Sequence, residues 1–194
     1  MQPLPPASAI DRIWKPRTGI AGAFRLALLA LAGSLLLALS AKIQVPFYPV
    51  PMTLQTAAVL LLGAAYGPRM AAATVLLYLL EGALGLPVFA GTPERGVGLA
   101  YMLGPTGGYL AGFLPAAWIA GKAVGSGWRG LALALAFLAA MAAIYLPGLL
   151  WLAGFVGGAK AVAVGFVPFI WGDLLKLALA AALVEAVRMH GRGK

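Results

Sequence analysis

Residues 26–41 run for 16 positions without a charged side chain, and five further apolar stretches follow. As helix, at ~1.5 Å per residue, such a run covers most of a ~30 Å hydrocarbon slab. A chain that repeats it has little left with which to face water. Of its 194 residues 62% are hydrophobic and 10% charged, where a soluble domain carries about a quarter charged residues. The expected fold class is therefore an all-α membrane protein. Six spans of ~20 residues use ~120, which leaves room for ends and loops but not for a second domain.

Charges and breakers place the six spans at 19–41, 53–66, 69–86, 106–123, 131–152 and 166–187. The second is short for a full crossing. Residues 1–18 read as a basic tail with Trp14 near a membrane surface, 19–187 as one six-helix bundle, and 188–194 as a second basic tail. A basic start ahead of an apolar run, with Ala38 and Ser40 spaced as at a cleavage site, has the outline of a secretory signal. Counted from Gly19, with Arg25 snorkelling at one end, the run is a full span instead.

A net charge of +9 would point to nucleic acid in a soluble chain; here it orients the bundle. With both termini cytoplasmic, ten of the fourteen positive residues lie inside: Arg12, Lys15, Arg17, Arg25, Arg69, Lys122, Arg129, Arg188, Arg192 and Lys194. Lys42, Arg95 and Lys160 lie outside. A five- or seven-span count scrambles this asymmetry. The outer side also carries two long segments, 42–52, stiffened by Pro46, Pro49 and Pro51, and 87–105, with Glu94 and Arg95. Ordered loops over a bundle mouth serve as lids or binding loops, or else merely connect.

An ionisable group in hydrocarbon costs ~2.5–3.5 kcal/mol, so it needs a partner, a cavity or a function. Asp173 and Lys176, in FIWGDLLK, are three residues apart and share one helical face, Asp173 about 10 Å below the outer end and Lys176 one turn deeper. They are either a neutral packing pair or the polar floor of a pocket for a small polar or anionic solute. In the pocket reading Lys176 offers donors to a carboxylate and Asp173 accepts from the ligand. Trp171 and Tyr109 would wall the pocket. Glu81 would face the same cavity or the interface, and Gln55 would satisfy a ligand or a neighbouring helix. Glu185 reads as interfacial. Ala30, Ser34 and Ala38, preceded by Ala23 and Ala27, form a small-residue strip on the first span, suited to close packing inside the bundle or to docking another membrane subunit. Gly108 and Gly112 repeat that spacing for internal packing.

The chain lacks Cys, and its single His190 lies in the charged tail, so no metal cluster, cofactor attachment or catalytic triad is indicated. It has no G-x-x-x-x-G-K-[ST], H-E-x-x-H or G-x-S-x-G. Nothing in it points to an enzyme, and any nucleotide hydrolysis belongs to another chain.

Four runs, KIQVPFYPVPMTLQ (42–55), GLPVFAG (85–91), LGPTGGYLAGF (103–113) and PFIWGDLLK (168–176), resemble in order the motifs of the BioY family, the biotin-binding S components of energy-coupling factor transporters. The resemblance implies a six-helix component in the bacterial inner membrane. It would capture biotin from outside and work with a transmembrane coupling subunit and two cytoplasmic ATPases. Asp173 and Lys176 match the family's Gly-Asp-x-x-Lys motif, which contributes to biotin binding; Gln55, Tyr109 and Arg95 are further candidates. The strip at Ala30, Ser34 and Ala38 looks like the surface S components present to their membrane partner. Two other classes compete: a self-sufficient secondary transporter using Asp173 or Glu81 as a proton carrier, and a scaffold subunit that binds no solute.

Overall fold

The computed structural model describes residues 10–11, 14–15, 18–91 and 96–190. Its elements are α1 (Gly19–Lys42), β1 (Gln44–Val45), β2 (Met52–Thr53), α2 (Gln55–Tyr66), α3 (Pro68–Ala83), α4 (Leu99–Met102), α5 (Gly107–Gly125), α6 (Gly130–Val156), α7 (Gly158–Gly165) and α8 (Ile170–His190). Six of these helices lie where the apolar stretches predict them, within a few residues. The break between α2 and α3 shows why: Gly67 takes φ +77°, and Pro68 opens the next helix at the position where its missing N–H costs nothing.

A hairpin and two short helices are not among the predicted spans. The Pro-rich run after α1 closes as a hairpin, with Gln44 opposite Thr53 and Val45 opposite Met52. Its prolines cannot donate to a ladder, so pairing stops after two residues. The single turn of α4 sits in the second long loop. The connection before the last span is the short α7, which carries Lys160 and meets α8 at a 53° bend. The last helix accordingly begins at Ile170 and runs on through Arg188 to His190, into the segment expected as a tail.

By length and composition α1 and α6 can each cross a membrane, and α7 with α8 passes the same test as one bent span. The exterior suits such a setting. Leu31, Leu35 and Leu39 of α1, Leu135, Leu146 and Leu150 of α6, and Leu175, Leu179 and Leu183 of α8 are all exposed, an apolar shell that water would not tolerate. Inside, α5 is the central helix and packs on α2, α3 and α6. Its approach to α6 is backbone on backbone: a Cβ at Gly112 would stand 2.6 Å from the Ala143 carbonyl oxygen, and one at Gly108 would meet that of Pro147. This is the close packing expected of that small-residue spacing. Tyr78, Leu60, Phe137 and Ile144 fill the core without exposure above 1%.

Charges close the end opposite the hairpin. Arg188 donates to the Val124 and Trp128 carbonyls at 2.6 Å each, while Glu185 accepts the Gly130 N–H at 3.1 Å. Arg25 does not snorkel. It is 4% exposed, ion-paired with Asp11 at 2.7 Å, and carries the Trp14 ring 5.7 Å from its guanidinium carbon. Asp11 and Trp14 thus cover a cation that is almost wholly withdrawn from solvent.

Candidate functional site

At the hairpin end, α2, α5, α6 and α8 surround a cavity of about 60 Å³. Its wall includes Met52 and Thr53 from β2, Gln55 and Thr56 from α2, Tyr109 and Phe113 from α5, Tyr145 from α6, and Phe169 and Asp173 from the α8 end. Ala90 and Tyr101 cover it from the second long loop.

Asp173 lies in the first turn of α8, 3% exposed, where the positive end of the helix dipole favours a carboxylate. Three side chains serve it. Its Oδ1 accepts from Lys176 Nζ at 2.7 Å and from Thr56 Oγ1 at 3.0 Å, and its Oδ2 accepts from the Tyr145 hydroxyl. Lys176 spends a second donor on the Thr53 carbonyl at 2.6 Å, which pins the hairpin to α8. The two charges therefore differ in role. Asp173 is on the cavity wall, whereas Lys176 stands behind it and neutralises it.

Of the other expected site residues, Tyr109 and Gln55 are on the wall. The Tyr109 hydroxyl donates to the Gly165 carbonyl at 2.9 Å, and its ring meets Tyr145 edge-on at 6.0 Å. Gln55 is 3% exposed; its amide donates to the Tyr78 hydroxyl at 2.7 Å, and the Tyr78 hydroxyl donates in turn to the Val88 carbonyl at 3.2 Å. Lys42 holds the next carbonyl, that of Phe89, at 2.6 Å. The Phe89 ring in turn stacks on Tyr101 at 5.2 Å. Residues 88–90 are thereby tied to α1 and α3, which holds this part of the cover against the bundle.

Two expectations need correction. Trp171 is 80% exposed and walls nothing. On a helix at ~100° per residue it points about 200° away from Asp173, so the two cannot share a cavity. Glu81 is likewise absent from the wall; it accepts a hydrogen bond from Ser34 at the seam of α3 and α1. That contact also turns Ser34 inward, to 1% exposure, with Ala30 and Ala38 half-buried on either side of it. Arg95 and Glu94 lie outside the described residues.

Sequence reasoning missed Tyr145, Thr56, Phe169 and Tyr101. A hydroxyl in an apolar helix costs far less than a charge, and an apolar ring such as Phe169 costs nothing, so none of these stood out. The available signal was Tyr145 itself, the one hydroxyl in the stretch 131–152.

Fold and site together define a multi-pass helical membrane protein with a partly covered polar centre among aromatic walls. The BioY family model matches residues 15–192, and the chain belongs to that family. The probable biotin transporter BioY of Pyrococcus horikoshii is 42% identical over 153 residues, covering 79% of this chain and 90% of that one. The biotin transporter BioY of Rhizobium etli is 38% identical over 174 residues, covering 84% and 91%. Among solved structures, the S-component for biotin from an ECF-type ABC transporter has the same fold, with a TM-score of 0.73 at 22% identity over 89% of this chain and 95% of that one.

Proposed function

We propose that this protein is the biotin-capturing membrane component of a vitamin uptake transporter, a role that needs no enzymatic chemistry of its own. The observation that carries the reading is the Asp173 carboxylate. Buried among aromatic rings, with three of its roughly four acceptor positions filled, it keeps one for a ligand donor. A ureido N–H of biotin supplies that donor. The fused rings and the valeryl chain meet Phe169, Tyr109 and Tyr101, and the carboxylate extends toward the mouth. Lys176 is occupied by Asp173 and Thr53, which supports assigning the ureido end, not the carboxylate end, to this pair.

A cavity of about 60 Å³ holds only a few waters, so biotin enters by displacing the hairpin or the segment covering the site. In this reading α1, α2, α3, α5, α6 and α8 cross the inner membrane, and both termini face the cytoplasm. A transmembrane coupling subunit and two cytoplasmic ATPase subunits drive release. The positive-inside charge pattern and the lack of a nucleotide-binding motif support that arrangement. Calorimetric titration of the purified protein with biotin and with a close analogue tests the reading. Selective binding of biotin is expected, and unaltered binding in an Asp173→Ala, Lys176→Ala double variant would remove the site.

A further inference from the structure

The hydrogen bonds around Asp173 constrain not only that a donor binds but which kind. Oδ1 is saturated by Lys176 and Thr56, and one position of Oδ2 is taken by the Tyr145 hydroxyl. A planar ligand with two parallel N–H groups needs two open acceptor positions on the carboxylate, and here only one, on Oδ2, is left. Charge works in the same direction. Lys176, 2.7 Å from Oδ1 with its side chain 15% exposed, cancels the carboxylate inside a buried site. A cationic ligand seated there would lose its hydration and meet a pair with no net charge to offset that loss. A neutral donor loses far less.

Resting on the reading of this cavity as the biotin site, we propose that Tyr145 and Lys176 set its specificity for an uncharged ligand donor. Tyr145 is a positioning residue that occupies one face of Oδ2. Lys176 is the counter-ion that removes the site's attraction for cations. Together they admit a cyclic urea and reject the cyclic guanidinium of the same shape. Tyr145 suits its part because its ring is locked edge-on against Tyr109 at 6.0 Å and Phe166 at 5.1 Å, so its hydroxyl cannot swing away to free Oδ2.

The probes are biotin and 2-iminobiotin, which differ by replacement of the ureido oxygen with a protonated nitrogen at neutral pH. Titration of the intact protein in detergent with each gives a preference for biotin of about 100-fold or more in the native chain. In Tyr145→Phe the ring packing stays and only the hydroxyl goes; the preference shrinks about tenfold, because Oδ2 then accepts from both N–H groups of the guanidinium. In Lys176→Met the preference falls further, and 2-iminobiotin binds more tightly than it does to the native chain. A loosened or partly unfolded site cannot produce that gain.

Equal affinities for the two probes in the native chain would overturn the proposal while leaving the biotin site standing. So would an unchanged preference in a Tyr145→Phe variant that still binds biotin, or one that unfolds at the native temperature yet binds neither probe. Should Lys176→Met fail to fold, the native and Tyr145→Phe preferences still decide. No biotin binding by the native chain would instead overturn the reading of the cavity.

Discussion

Helix α8 carries two acid–base pairs of identical spacing, Asp173 with Lys176 near its start and Glu185 with Arg188 near its end, and the molecule uses them in opposite ways. The first is a contact ion pair of 2.7 Å, with side chains 4% and 15% exposed. The second is open to 3.9 Å, with side chains 27% and 16% exposed. Twelve residues, ~18 Å of helix, separate a cavity wall from a helix-end clamp. In the second pair each partner turns to backbone: Arg188 takes the Val124 carbonyl in the last turn of α5 and that of Trp128 in the loop beyond it, and Glu185 takes the first N–H of α6. Each charge thereby opposes the partial charge at that helix end. Spacing alone says that acid and base share a face. What surrounds the face decides whether the pair holds a solute or holds the bundle.

The largest expected break in this comparison is Asp173→Ala. It strands a Lys176 ammonium with one carbonyl partner and leaves the Thr56 and Tyr145 hydroxyls without an acceptor, at a cost of ~3–5 kcal/mol. Biotin binding should fall at least ~100-fold, to be read by calorimetry, with thermal unfolding reporting the stability loss. Lys42→Met comes next. It frees the Phe89 carbonyl and loosens the cover while leaving the walls intact, so biotin should both enter and leave about tenfold faster, to be read in association and chase experiments. Arg188→Gln breaks the clamp alone. The half-open setting of this group limits its cost to ~1–2 kcal/mol, and biotin affinity should stay within about twofold. An affinity loss matching that of Asp173→Ala would mean that the two pairs are not separate devices.

The helices and the buried acid–base pair were legible in the sequence for one reason: hydrocarbon penalises charge so strongly that both the apolar runs and their interruptions stand out. That logic found Asp173 and Lys176. It was blind to Tyr145 and Thr56, whose hydroxyls are cheap in a helix and acquire meaning only when α2 and α6 bring them to α8. It also missed α7, eight residues of mostly small side chains, too short to show a helical period. Glu81 was placed by depth, but its partner is chosen by rotation: it meets Ser34 because α3 turns it toward α1. Ser34 in turn shows that a strip defined by four-residue spacing need not keep one face outward, since spacing of four drifts around a helix of 3.6 residues per turn.

Trp171 gives the smallest expected effect and the sharpest test of that rotational argument. It sits two residues before Asp173, close enough in sequence to invite a role in the same pocket. Its indole is 80% exposed, on the side of α8 that faces away from the cavity. Trp171→Ala removes a large amphipathic ring from the lipid-facing surface, where such rings anchor a helix at the headgroup level. Biotin affinity should therefore be unchanged within about twofold, the scatter expected between sites with no shared partner. The change should appear instead when the protein is moved from detergent into bilayers, as a small loss of stability that the native chain does not show. An affinity loss of tenfold or more in detergent would place the indole against the ligand. It would require α8 to be turned by more than a quarter rotation from the orientation that points Asp173 into the cavity.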